Sequence, residues 1–238
     1  MALSFSTTAA FSAANGVKAV IYGPSGAGKT MLAATADDPL VISAEKGLLC
    51  LSPSNVERVF NKAGVDIPVV EIETGKDLDA VYKLVTTDPN FQQKDIFIDS
   101  VSEIAEKILT GLKKINSDPR KAYGQMGDVM IEHIRRFRDL PDRNVFFLAK
   151  RDRNKDEATG TMLYQPSMPG QFLTMQLPHF FDIVLSYEVA EDKGQTYRFL
   201  RTALSAQFFA KDRSGALDET EYPDISNIVS KIKNQHHE

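Results

Sequence analysis

Residues 17–30 read VKAVIYGPSGAGKT, and this stretch decides the fold. Residues 17–22 form an apolar run of strand character, and from Lys29 onward KTMLAATA reads as a helix. Between them Gly23, Gly28, Lys29 and Thr30 satisfy G-x-x-x-x-G-K-[ST], the phosphate-loop pattern. Glycines let the backbone curl so that successive N–H groups converge on phosphate oxygens. Gly23, Pro24, Ser25, Gly26, Ala27, Gly28, Lys29, Thr30 and Met31 are therefore the candidate nucleotide-binding set. Lys29 is expected to reach the β- and γ-phosphates and Thr30 to offer its hydroxyl to Mg²⁺. The helix that follows is expected to add the positive end of its dipole.

Working outward, strand and helix patterns alternate, the signature of a mostly parallel sheet flanked by helices. LVIS is a short buried strand ending at Ala44-Glu45-Lys46-Gly47, IPVVEIE is another, and residues 76–87 carry helical spacing. DIFID then closes an apolar strand on Asp99. A carboxylate at the C-terminal end of a strand beside a phosphate loop is placed to hold Mg²⁺ and its waters. The plain alternative is that Asp99 or Ser100 caps the helix SVSEIAEKIL. Glu45, at the tip of the neighbouring strand, is the candidate to orient and deprotonate an attacking water; otherwise it is an exposed loop residue.

Residues 116–124 read as a polar loop, 127–140 as a helix, 144–149 as an apolar strand, and 150–170 as a long loop. FFDIVLSYEVA and QTYRFLRTA look like antiparallel strands around a turn at 191–194, and residues 225–233 like a closing amphipathic helix. His236 and His237 read as a frayed tail, because nothing nearby completes a metal-ligand set. Charge is unevenly distributed. Residues 107–155 hold 13 basic residues against 6 acidic ones, an excess of +7 in a chain whose total is −4. Such a run is either a solvated face or a surface for a polyanion.

The chain has 238 residues, 42% of them apolar, enough for one substantial α/β core over residues 17–238. Residues 1–16 read as a flexible tail without a basic n-region. One cysteine, Cys50, allows no internal disulfide, and no apolar run reaches eighteen residues. A cytoplasmic location without membrane contact is the expectation.

The order of these parts resembles the RecA-like branch of P-loop ATPases. PLVISAEKGL is similar to the segment whose strand ends in the catalytic Glu, and DIFIDSVSEI to the Walker B strand. AKDRSG resembles the Lys-x-Arg stretch of DnaB-type and KaiC-type ATPases, which reaches a neighbouring subunit's phosphate; that implies catalytic roles for Lys211 and Arg213. Within the branch the chain most resembles the phage-encoded Sak-type single-strand annealing proteins and recombinases. The resemblance implies a RecA-like core with antiparallel strands toward the C-terminus, ATP and Mg²⁺ as cofactors, and catalysis by Glu45 and Lys29. It further implies single-stranded DNA and a single-strand DNA-binding protein as partners, and a homo-oligomeric ring or filament.

By the same resemblance the segments after Ile115 and after Ala149 stand where such proteins hold DNA. That singles out Arg120, Lys121, Tyr123, Arg151, Arg153, Lys155 and Tyr164. Basic residues with aromatics between them suit a strand whose bases stack. Two departures stand out: Lys150 occupies the place of a neutral γ-phosphate sensor, and the family's N-terminal oligomerisation segment is missing or reduced to residues 1–16. A GTPase is disfavoured, since Asn154-Lys155-Asp156 is not N-K-x-D. A small-molecule kinase with a mobile lid, and a nucleotide switch acting on protein partners, are the alternatives.

Overall fold

The apolar run before the phosphate loop becomes β1 (Lys18–Gly23) in the computed structural model, which describes Thr7, residues 15–155 and residues 160–235. Nearly all of the 1–16 tail and the His236–His237 pair lie outside the described residues. A 3-10 helix (Thr30–Thr35) leads to β2 (Pro39–Ser43), a second 3-10 turn (Leu48–Leu51) and α1 (Pro53–Phe60). There follow β3 (Val69–Glu71), α2 (Gly75–Thr87), β4 (Asp95–Asp99), α3 (Val101–Ile115) and α4 (Pro119–Arg138). The second half contains β5 (Asn144–Lys155), β6 (Met162–Ser167), α5 (Gln171–Gln176), β7 (Ile183–Asp192), β8 (Gln195–Arg201), β9 (Lys211–Asp212), β10 (Thr220–Glu221) and α6 (Ile225–Gln235).

The sheet runs β10-β8-β7-β1-β5-β4-β2-β3. Its strands from β7 to β3 are parallel, whereas β8, β9, β10 and β6 pair antiparallel. This is the expected α/β class, with antiparallel strands toward the C-terminus. Nearly all of β1 and all of β4 are buried, which is why they read as unbroken apolar runs without alternation. One face packs Val20, Ile96, Ile98 and Phe147 against Leu78 and Val81 of α2, Ile104 of α3, and Met130, Ile134 and Phe137 of α4. The other packs Ile21, Phe97 and Leu148 against Leu32, Val56 of α1, and Ile225, Ile228 and Ile232 of α6. Local chemistry sets several boundaries: Thr74 and Asp77 form a capping box on α2, Ser100 caps α3, and Asp118 with Pro119 starts α4.

Three expectations require correction. KTMLAATA is not a full α-helix but a 3-10 helix of six residues, too short for a substantial dipole. The polar loop at 116–124 is mostly the first turns of α4, because the Asp118 cap and Pro119 nucleate it early. The long loop at 150–170 is largely a hairpin: β5 continues through Lys155 and pairs β6 from Lys150↔Ser167 to Lys155↔Met162. Backbone pairing carries that extension, so its charged side chains gave no apolar period to read. The turn at 191–194 forms as expected, with positive φ at Lys193 (49°) and Gly194 (77°). Among the described residues no helix is long and apolar enough to cross a membrane.

Candidate nucleotide site

Parallel strands gather their C-terminal ends on one edge of the sheet, and the phosphate loop leaves β1 there. Gly26 (φ 76°) and Gly28 (φ 112°) take the left-handed backbone that the curl requires. The loop lies directly on β7. A Cβ on Gly23 would meet Tyr187 O at 2.7 Å, and one on Gly28 would stand 3.3 Å from the Tyr187 hydroxyl. Lys29 Nζ donates to Gly23 O and Pro24 O, both at 3.0 Å, so the ammonium lies over the loop it belongs to. Burial lowers its pKa, while Asp99 and then Glu45 pull it upward.

Thr30 Oγ1 donates to Asp99 Oδ2 at 2.6 Å. The pairing in register of β2, β4 and β5 delivers Asp99 to this point, with Ser43 and Leu148 as its neighbours. Asp99 is buried, and burial raises its pKa against the opposing Thr30 hydrogen bond. Two hard oxygens converging beside a phosphate loop fit Mg²⁺, which takes one or two carboxylates and completes its shell with phosphate and water. The donor chemistry of the site therefore matches the cation.

Glu45 is exposed at the tip of β2, yet its carboxylate is held: Ser100 Oγ donates to Oε1 at 2.7 Å. Its backbone is tied down too, since Ser43 Oγ donates to Glu45 O at 2.6 Å and Ala44 N to Asp99 O at 2.8 Å. The Asp99–Ser100 peptide is cis. Glu45, Lys29, Thr30 and Asp99 thus line one cavity of about 1120 Å³.

The remaining candidates are dispersed. Lys150 lines the same cavity but pairs with Glu103 at 2.8 Å and Glu106 at 3.1 Å. Arg151 is not the free loop cation expected of a DNA contact. Its side chain is 16% exposed, ion-paired to Glu188, bonded to Tyr187 O at 3.2 Å, and laid over Tyr164 and Phe208. Tyr164 stacks on Phe208 at 5.1 Å, so its ring is also engaged inside. Arg153 and Lys155 are exposed on the hairpin, as are Arg120 and Lys121 at the start of α4. Tyr123 is 40% exposed and receives Lys113 over its ring at 5.0 Å. The +7 segment is partly neutralised through ion pairs with five acidic residues from outside it: Glu73, Asp79, Glu103, Glu106 and Glu188.

Lys211 and Arg213 are not brought to this chain's own loop. Lys211 stands opposite Val184, level with Val20, three residues below Gly23 in the register. Arg213 lies just past β9, exposed, with Nη1 at 3.2 Å from Asp182. Two contacts escaped the sequence reading. Arg198 Nε donates to Ala27 O of the loop at 2.9 Å, and Ser100 supports Glu45. Arg198 sits in QTYRFLR, where nothing distinguishes it from a surface arginine; Ser100 was visible as a cap and as the Ser after the Walker B strand, but not as a partner of Glu45.

Fold, loop and carboxylates together define a P-loop ATPase domain built on a mostly parallel sheet. Residues 15–214 match the AAA domain family, and the chain belongs to it. No curated protein sequence is similar to it. Among solved structures, a KaiC-like protein from the hyperthermophilic archaeon Pyrococcus horikoshii is similar at 14% identity and a TM-score of 0.43, over 79% of this chain and 78% of that one.

Proposed function

We propose that the chain binds ATP with Mg²⁺, hydrolyses it, and couples turnover to single-stranded DNA in strand annealing or recombination of the Sak type. The observation that carries the nucleotide part is the 2.6 Å contact between Thr30 and Asp99, side chains 69 positions apart that meet beside the loop. Backbone N–H groups of residues 25–30 and the Lys29 ammonium hold the phosphates. Thr30 and Asp99 hold the cation, which when bound neutralises charge on the phosphates and on the leaving diphosphate. Glu45, positioned by Ser100, orients a water and takes its proton as the water oxygen bonds to the γ-phosphorus and the β–γ bridge breaks. Arg213, with Lys211, would act on the nucleotide of a neighbouring subunit in a homo-oligomer.

The DNA part is supported by placement. α3 and the β5–β6 hairpin leave the C-terminal ends of β4 and β5, the edge that carries the nucleotide site. Arg153 and Lys155 extend from that edge on the hairpin, and Arg120, Lys121 and Tyr123 stand at the α3–α4 junction. Phosphate-directed cations of this kind bind weakly and with strong salt dependence. The test is ATP hydrolysis with and without single-stranded DNA at two salt concentrations, beside an annealing assay. Stimulation that fades with salt is expected. Phe172 and Met175, exposed on α5 just past Gly170, which packs on Tyr123, favour the second reading, a nucleotide switch acting on a protein partner. Turnover indifferent to DNA would select it.

A further inference from the structure

The cavity that holds the phosphate loop extends well beyond it, to α1 on one side and to β8 and the segment after β10 on the other. Asp99 and Glu45 mark one end as the place of the terminal phosphate. A nucleoside must then occupy the end remote from them, and its base has two flat faces that gain from an aromatic partner.

Four aromatic side chains line the cavity: Phe60, Tyr187, Tyr197 and Tyr222. Three are already engaged. Tyr187 is buried beneath the loop, Phe60 packs against the core, and Tyr197 stacks on Phe199 with centroids 5.8 Å apart. Tyr222 is 70% exposed, and among the described residues its side chain makes no hydrogen bond or ring contact. A mobile rim residue would gain little from this, but Tyr222 is anchored on both sides. Glu221, buried just before it, pairs with Lys231 at 2.8 Å and accepts Asp218 N at 2.9 Å. Beyond it, Pro223 restricts the chain and Ile225 N donates to Thr35 Oγ1 at 2.9 Å, on the same 3-10 helix that begins with Thr30. The backbone that carries the ring is thus held in fixed relation to the phosphate loop.

We propose that Tyr222 is the nucleobase-stacking residue of this site, so that the segment between β10 and α6 supplies the nucleoside wall while β1 and its loop supply the phosphate cradle. Arg198 joins the two. With Nε committed to Ala27 O, its guanidinium keeps four further N–H donors at the lining of the same cavity, suited to the α-phosphate.

The inference rests on the ATP reading, and the test separates them. The chain contains no tryptophan, so Tyr222→Trp introduces a sole indole reporter. ATP and ADP are expected to change its emission, whereas inorganic tripolyphosphate, followed by calorimetry, is expected to bind without doing so. Tyr222→Ala should lose on the order of tenfold in ATP affinity with tripolyphosphate affinity unchanged, and Tyr222→Phe should restore ATP binding. The inference is overturned if Tyr222→Ala binds ATP as tightly as the unaltered chain, or if it loses ATP and tripolyphosphate in equal proportion. If the unaltered chain binds neither ligand, the ATP reading itself fails, and this one with it.

Discussion

Ser100 Oγ donates to Glu45 Oε1 at 2.7 Å and accepts the backbone N–H of Glu103 at 3.3 Å. One hydroxyl therefore joins the proposed general base to the N-terminus of α3, and the Glu103 carboxylate in turn holds Lys150. Glu45→Gln should retain ATP binding and lower turnover by about 10² to 10⁴, the usual worth of a positioned base. Ser100→Ala should lower turnover less and cost about 1 kcal/mol of stability through the lost cap. Steady-state kinetics beside thermal unfolding distinguish the two losses; normal turnover in Glu45→Gln would place the base elsewhere.

Asp99→Asn is expected to abolish Mg²⁺-dependent turnover while leaving the unfolding midpoint of the nucleotide-free protein unchanged or higher. The amide oxygen can still accept from Thr30, and a buried charge is removed. Lys29→Ala should likewise lose turnover with the fold intact, since its ammonium bonds only loop carbonyls. Circular dichroism with a phosphate-release assay checks both. A collapse of the fold in Asp99→Asn would make the Thr30 contact structural.

Arg151 and Arg153 stand two positions apart on β5 and should behave oppositely. Arg151→Ala leaves Glu188 without its cation in a buried setting, which costs about 3–5 kcal/mol. Arg153→Ala with Lys155→Ala should leave stability within about 0.5 kcal/mol and weaken single-stranded DNA binding with a shallower salt slope. Urea unfolding and anisotropy titrations at several salt concentrations report the two effects. Unchanged DNA affinity in the double variant would remove the hairpin from the DNA surface.

Arg213 sits well below its own phosphate loop in the sheet register, so its proposed role requires a second subunit. Arg213→Ala should lower kcat by orders of magnitude at nearly constant ATP affinity, as loss of an arginine finger does. Mixing it with Lys29→Ala, each inactive alone, should restore part of the turnover. Absence of complementation, or full activity in a strictly monomeric form, would end the trans assignment.

Lys18 offers a pH signature. Its ammonium donates to Leu140 O at 2.7 Å and to the Arg143 carbonyl, and burial lowers its pKa from 10.5 to about 8 despite Asp139 and Asp142 nearby. Between those values the unfolded chain binds more protons than the folded one. The contribution of Lys18 to stability therefore rises with pH from about 8 to 10.5 and is flat below. Lys18→Met should remove up to about 1.4 kcal/mol per pH unit of that slope. Parallel stability curves for the two proteins over this range would show that Lys18 is not titrating there.

The sequence by itself determined what is local or what topology enforces. The phosphate loop is contiguous and its curl follows from glycines at fixed offsets, so it could be read directly. Asp99 and Glu45 were also legible, because an apolar strand that ends in a carboxylate places it at the edge where parallel strands end. The tertiary structure alone decided the hairpin beyond Ala149, the engagement of Arg151 and Tyr164, the grip of Arg198 on Ala27, and the position of Tyr222. Those outcomes depend on antiparallel register and on contacts between residues up to 190 positions apart. An arginine in an alternating strand has the same local pattern whether it meets solvent, a glutamate or a phosphate loop. Pairing with distant strands selects among the three, through burial and hydrogen bonding that no local period encodes.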